Sequence, residues 1–195
     1  METILQGKTT TVRIAPERPT VLIGERINPT GKKKLAAALL AGDLAPVREL
    51  AQAQVAAGAM VLDGNVGAGG ADEESRTARS EERGGEVADV PICVDTANPE
   101  ALKAALAVCP GKPLVNSVTG ERAKMEAVLP LVAERGAAVI GLVMGDEGIP
   151  PTPEQRLEVA RRILTRALEL GIPREDVIFD PLVLTVGADS RAARV

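Results

Sequence analysis

Residues 90–102 read Val90-Pro91-Ile92-Cys93-Val94-Asp95-Thr96-Ala97-Asn98-Pro99-Glu100-Ala101-Leu102, and the order of residue types in that stretch decides the fold. A short continuous apolar run, 90–94, ends on a carboxylate, as a strand covered on both faces would end at a polar rim. Asn98-Pro99 then supplies a cap followed by a proline whose fixed φ suits a first helical turn. Leu102, Ala105 and Leu106 follow at helical spacing. Buried strand, polar residue, cap and amphipathic helix form one unit.

The same succession recurs on both sides of it. Further apolar runs at 21–23, 59–62, 114–115, 137–143 and 177–179 are expected strands. Helical stripes lie between them: Val47, Leu50, Ala51 and Val55; Met125, Val128, Leu129 and Val132; Leu157, Ala160, Leu164 and Leu168. Thr152 and Gln155 have the spacing of a capping box, and Gly58, Gly136 and Gly171 mark helix ends. The polar residues that follow the strands are Glu25, Asp63, Asp95, Asn116, the Met144-Gly145-Asp146 turn and Asp180. From Glu25 to Asp180 five units occupy 155 residues, about 31 each, so eight would need about 250, the size of a (β/α)8 barrel. An open doubly wound sheet gathers ligands at one switch point, whereas a barrel brings groups from many strand ends over one mouth. The recurrence favours a TIM-barrel-type α/β fold, C-terminally incomplete at about six of eight βα units. Its expected layout is a single domain over 1–195: an N-terminal hairpin or plug at 1–20, a partial barrel at 21–184 and a short tail at 185–195. The hairpin is expected from Ile4-Leu5 and 10–14 flanking Gly7-Lys8.

Composition narrows the chemistry. The chain has 195 residues, 45% of them apolar, enough for a sizeable core. It contains no histidine, which excludes Ser–His and Cys–His nucleophiles and the usual His-bearing zinc sites within it, and no metal ligand set is expected. Cys93 and Cys109 lack a C-x-x-C spacing, which suits a reducing cytoplasm, and a buried structural thiol is expected at Cys93. A net charge of −4 and a single aromatic residue, Phe179, offer neither a basic field nor stacking platforms for nucleic acid. No apolar run approaches the ~20 residues needed to span a bilayer. Gly67-Ala68-Gly69-Gly70 lacks the strand–helix context and the Walker lysine of a nucleotide loop.

Asp95, Asn116 and Asp180 are the candidate ligand anchors. A carboxylate only accepts, while an amide donates and accepts, so the set suits a neutral heterocycle with an amino group and ring N–H donors beside an acceptor, as on a pterin edge. The plainer alternative for any one of them is a strand-end Asp or Asn that caps the next helix or anchors a loop.

Six segments appear in an order that resembles the pterin-binding barrel family: Gly24-Glu25-Arg26-Ile27-Asn28, Leu62-Asp63-Gly64-Asn65-Val66-Gly67, Val94-Asp95-Thr96, Val115-Asn116-Ser117-Val118-Thr119-Gly120-Glu121, Gly136-Ala137-Ala138-Val139-Ile140-Gly141-Leu142 and Ile178-Phe179-Asp180-Pro181-Leu182. That family includes dihydropteroate synthases, the folate-binding module of methionine synthase and methyltetrahydrofolate:corrinoid methyltransferases, and the chain looks most similar to the last. The resemblance implies that Asp95, Asn116 and Asp180 hydrogen-bond the pterin ring, with Glu25, Asn28, Asp63 and Asn65 lining the same mouth and no catalytic residue assigned. It also implies methyltetrahydrofolate or tetrahydrofolate as substrate, cobalamin carried by a partner corrinoid protein, and transfer of the N5-methyl group between the two.

Dihydropteroate synthase activity is the alternative, and a non-catalytic pterin-binding module or truncated fragment is another. The synthases use an Asn-x-Thr-Pro-Asp-Ser-Phe-type loop after the first strand. Here Asn28-Pro29-Thr30-Gly31 runs into Lys32-Lys33-Lys34, whose bland reading is a solvated helix start. The family's Asn-bearing loop near pterin N5 has no counterpart. Six strands with two open edges lead to an expectation of a homodimer or other self-association. Residues 71–86 contain no large apolar side chain where a packing helix belongs, as a local frame change would produce.

Overall fold

The computed structural model describes residues 1–65 and 89–183. The glycine run at 67–70, the stretch at 71–86 and the tail at 185–195 lie outside the described residues. The chain opens with an antiparallel hairpin, β1 (Thr3–Gln6) and β2 (Thr11–Ile14). It continues through β3 (Ile23–Ile27), α1 (Lys33–Leu40), α2 (Ala45–Ala56), β4 (Val61–Gly64), β5 (Ile92–Asp95), α3 (Pro99–Val108) and β6 (Leu114–Thr119). Then follow α4 (Arg122–Arg135), β7 (Ala138–Leu142), α5 (Pro153–Glu169), a 3-10 turn at Arg174–Asp176 and β8 (Val177–Asp180).

Each of the six long-range strands pairs in parallel with the next in sequence, giving the order β3-β4-β5-β6-β7-β8. A doubly wound sheet reverses its order at a switch point and places helices on both faces. Here the order runs one way among the described residues, so the sheet is an arc of a barrel with β3 and β8 as its edges.

Side-chain alternation divides the strands between two cores. Outward-facing Leu62, Ile92, Val94, Val115 and Val139 pack with Leu102 and Ala105 of α3, Leu129 and Val132 of α4, and Ile163 of α5. Inward-facing Val61, Cys93, Leu114 and Ala138 pack with Leu5 and Val12 of the hairpin. The hairpin therefore sits under the concave side of the arc. Gln6 and Lys112 exchange backbone hydrogen bonds of 3.0 Å just before β6, and the Thr3 hydroxyl donates to the Glu175 carbonyl just before β8. Both ties are at the strands' N-terminal ends. Lys112 adds an ion pair of 2.6 Å to the buried Asp176.

Local signals explain the helix limits. Asn98 accepts from the N–H groups of Glu100 (3.0 Å) and Ala101 (3.4 Å), satisfying donors at the start of α3. Thr152 and Gln155 close a reciprocal capping box on α5, 3.3 Å in each direction. Gly136 takes φ of 66°, which lets the Ala137 N–H reach back to the Val132 carbonyl at 3.1 Å and end α4.

Two expectations need correction. The strands include the polar residues that were expected to follow them: β3 covers Ile23–Ile27 rather than 21–23, Asp63 and Asn116 lie inside β4 and β6, and Asp95 and Asp180 are the last residues of β5 and β8. Parallel pairing uses the backbone, so a polar side chain does not end a strand when it faces an open mouth. In α5 the buried stripe is Val159, Ile163 and Ala167, while Leu157 and Leu168 are 50% and 42% exposed. Two apolar stripes share this helix, and the beta-branched pair is the one that meets the sheet.

Candidate functional site

Parallel strands in one arc put their C-terminal ends on a single rim, away from the hairpin. β4 contributes Asp63 and is followed directly by Asn65; β5 contributes Asp95; β6 contributes Asn116. These four are brought together by cross-strand hydrogen bonds. Asn65 Nδ2 donates to Asp95 Oδ2 at 2.8 Å, and Asn116 Nδ2 donates to Asp63 Oδ2 at 3.0 Å. The second bond passes over β5, since Asp63 is in register with Cys93 and Asp95 with Asn116.

Burial sets the electrostatics. Asp63 is only 6% exposed, and desolvation pushes its carboxyl above the ordinary Asp value; the Asn116 amide and Cys93 thiol, both donating to it, oppose that rise, while the nearby Asp95 and Glu25 charges add to it. Asp95 is also raised, first by desolvation and then by Glu25, against the pull of Asn65. Glu25, exposed on β3, thus acts on both carboxyls by charge.

Asp95 and Asn116 line a crevice of about 150 Å³ together with Thr96, Ser117, Thr119 and Lys124. Ligand pockets usually enclose about 300–1,000 Å³, so this crevice suits the edge of a planar group rather than a whole folate. A larger hollow of about 430 Å³ lies between the Gly145–Pro151 loop and α5, with Glu147, Glu158 and Arg162 in its lining. It contains none of the cross-strand carboxylate–amide pairs, and the smaller crevice is the candidate site.

The remaining predicted residues stand apart from this cluster. Asp180 ends β8 on the same rim, exposed, and its Oδ1 accepts from the Leu182 N–H at 2.8 Å. Asn28 lies just after β3 and its Oδ1 accepts from the Thr30 N–H at 2.9 Å. Both perform the loop-anchoring role that was the plain alternative, whereas Asp63, Asp95 and Asn116 bond across strands. In the lysine run, Lys33 and Lys34 are exposed and Lys32 donates to the Arg26 carbonyl at 2.8 Å.

Sequence reasoning passed over the hydroxyls of Thr96, Ser117 and Thr119, although each follows a strand-end carboxylate or amide within three positions. Lys124 was hidden in the polar start of a helix. Cys93, expected to be an inert buried thiol, is indeed buried but hydrogen-bonds Asp63 from the inward face of β5. Among the described residues no three His, Cys, Asp or Glu side chains are grouped to hold a metal ion, and no helix is long and apolar enough to cross a membrane.

An arc of βα units with an acceptor-rich polar cluster at the C-terminal ends of its strands defines a βα-barrel ligand-binding domain. Residues 24–194 match the family described as pterin binding enzyme. The chain belongs to the pterin-binding enzyme family. A methylcorrinoid:tetrahydrofolate methyltransferase of Eubacterium limosum is 30% identical over 177 residues, covering 88% of this chain and 64% of that protein. Methionine synthase of Mycobacterium tuberculosis is 28% identical over 191 residues, 95% of this chain and 16% of that protein. The dihydropteroate synthase structure from Thermus thermophilus superimposes with a TM-score of 0.62 at 26% identity, over 92% of this chain and 64% of that one. The chain thus spans less than two thirds of each of these relatives.

Proposed function

We propose that this chain binds the pterin ring of a reduced folate at the strand-end crevice and takes part in moving the N5-methyl group between methyltetrahydrofolate and a corrinoid carried by a separate protein. The observation that carries the reading is the pair of cross-strand bonds, Asn116 to Asp63 and Asn65 to Asp95, which commit these groups to one another rather than to helix capping. An edge displaying an amino group and ring N–H donors is the complement of a mouth so rich in acceptors. The methyltransferase relative points to the N5-methyl chemistry.

In that reaction a reduced corrinoid on its carrier supplies the electron pair that takes the methyl group. The C–N5 bond breaks as N5 takes up a proton, because an amine anion is a poor leaving group. The contribution of this chain is positional. Asp95 and Asn116 hold the ring at one angle, and Asp180, whose turn bond engages only Oδ1, offers its other oxygen from the same rim; this lowers the entropic cost of bringing two bulky reactants together.

The test is direct binding of methyltetrahydrofolate by equilibrium dialysis. The protein has no Trp or Tyr, so folate absorbance is read against a nearly transparent background. Binding is expected, and Asp95→Ala should weaken it about tenfold or more, the loss of a hydrogen bond to a charged group. No binding by a folded sample would overturn the reading. Methyl transfer to reduced cobalamin then separates an enzyme from a binding module. Dihydropteroate formation from a pterin pyrophosphate and p-aminobenzoate would instead place the chain with the synthases.

A further inference from the structure

Asp63 does not line the crevice and is 6% exposed, yet its carboxylate receives the Asn116 amide from across β5. A primary amide has two ends of nearly equal size and opposite hydrogen-bonding sense, and an unrestrained Asn can present either. Asp63 removes that freedom. Reversing the Asn116 amide would set its carbonyl oxygen where Nδ2 now stands, 3.0 Å from a carboxylate oxygen, two acceptors face to face. The nitrogen end is therefore held inward, and the carbonyl, which has no partner among the described residues, is the end left for a ligand. Cys93, fully buried beneath, donates to the same carboxylate and helps to fix it.

We infer that Asp63 is a positioning residue that sets the polarity of the Asn116 amide, making Asn116 a ligand-facing acceptor and selecting ring edges rich in donors. The inference rests on the pterin reading and sharpens it. With Asn116 held this way beside the carboxylate of Asp95, the crevice favours a pterin, whose C2 carries an amino donor, over lumazine, whose C2 carries an oxo acceptor.

Binding of pterin and lumazine is measured for the wild type, Asp63→Asn, Asn116→Ala and the double variant. The wild type should prefer pterin by about tenfold, the discrimination expected when a ligand acceptor meets a protein acceptor. Asp63→Asn keeps the size of the side chain but permits either amide polarity, so pterin affinity should fall about tenfold and the preference should shrink. In the Asn116→Ala background, Asp63→Asn should change neither affinity, because its effect runs through Asn116. Additive losses would overturn the inference. A second readout needs no ligand: the Asn116 side-chain amide protons, followed by nitrogen-15 NMR, should shift with the titration of Asp63 and lose that dependence in Asp63→Asn. If the wild type binds neither heterocycle, the pterin reading fails. The positioning inference fails separately if the Asn116 protons ignore Asp63.

Discussion

Asp63 and Asp95 are held above the ordinary carboxylate value by burial, and this has an energetic sign. An acid whose folded pKa exceeds its unfolded one binds more protons in the folded state between the two values, so stability falls as pH rises through that window and is level above it. Asp63→Asn and Asp95→Asn should therefore gain stability relative to the wild type as pH rises from the unperturbed value of 3.8. The check is the urea midpoint between pH 4 and 7; a variant-minus-wild-type difference that declines with pH would contradict the assigned cause. Ligand affinity should move the other way, since the ionised carboxylates are the better acceptors. Such a trade-off between stability and binding is expected where charges are buried for a purpose. At this scale the residue types were readable and the partners were not. Asp95, Asn116 and Asp180 carry the same strand-end pattern in sequence, but Asp180 bonds into its own turn while the other two bond across strands.

Among the elements, caps and stops were legible because they depend on neighbours within five positions. Asn98, the Thr152–Gln155 box and Gly136 all act where the spacing placed them. The stripes of α3 and α4 were legible too: Leu102, Ala105 and Leu106, and Met125, Val128, Leu129 and Val132, are all buried. Helix α5 was not, because its sequence carries two apolar stripes and only docking selects one. Ile163→Ala should cost about 2–5 kcal/mol, while Leu157→Ala, at 50% exposure, should stay within about 0.5 kcal/mol. Chemical denaturation of the two variants measures this, and the reverse ranking would mean that α5 is rotated about its axis. The strand limits failed for a related reason: hydropathy marks where burial ends, whereas backbone pairing continues to the rim.

At the scale of the whole molecule, the candidate site and the hairpin lie at opposite ends of the strands. The hairpin fills the concave side at the N-terminal ends through Leu5 and Val12, and the carboxylate–amide cluster occupies the C-terminal ends. Leu5→Ala should lower stability by about 2–5 kcal/mol and leave methyltetrahydrofolate affinity unchanged in the folded fraction, as isothermal titration below the melting transition would show. Loss of affinity in a fully folded sample would mean that the two ends are coupled. The edges β3 and β8 present unpaired backbone among the described residues, and such edges invite pairing with another chain. Light scattering coupled to size-exclusion chromatography should therefore find a mass above that of the 20.2 kDa monomer.

The sequence by itself determined the period of the fold, the capped helix termini and the family, because each of these is written in local spacing or in motifs kept in order. It did not determine which polar groups meet. The register of β4, β5 and β6 brings Asn116 over Cys93 to Asp63 and leaves Asp180 in its own turn. Only the curvature and pairing of the sheet decide that, since those contacts join residues 30 to 53 positions apart whose distances no local pattern encodes.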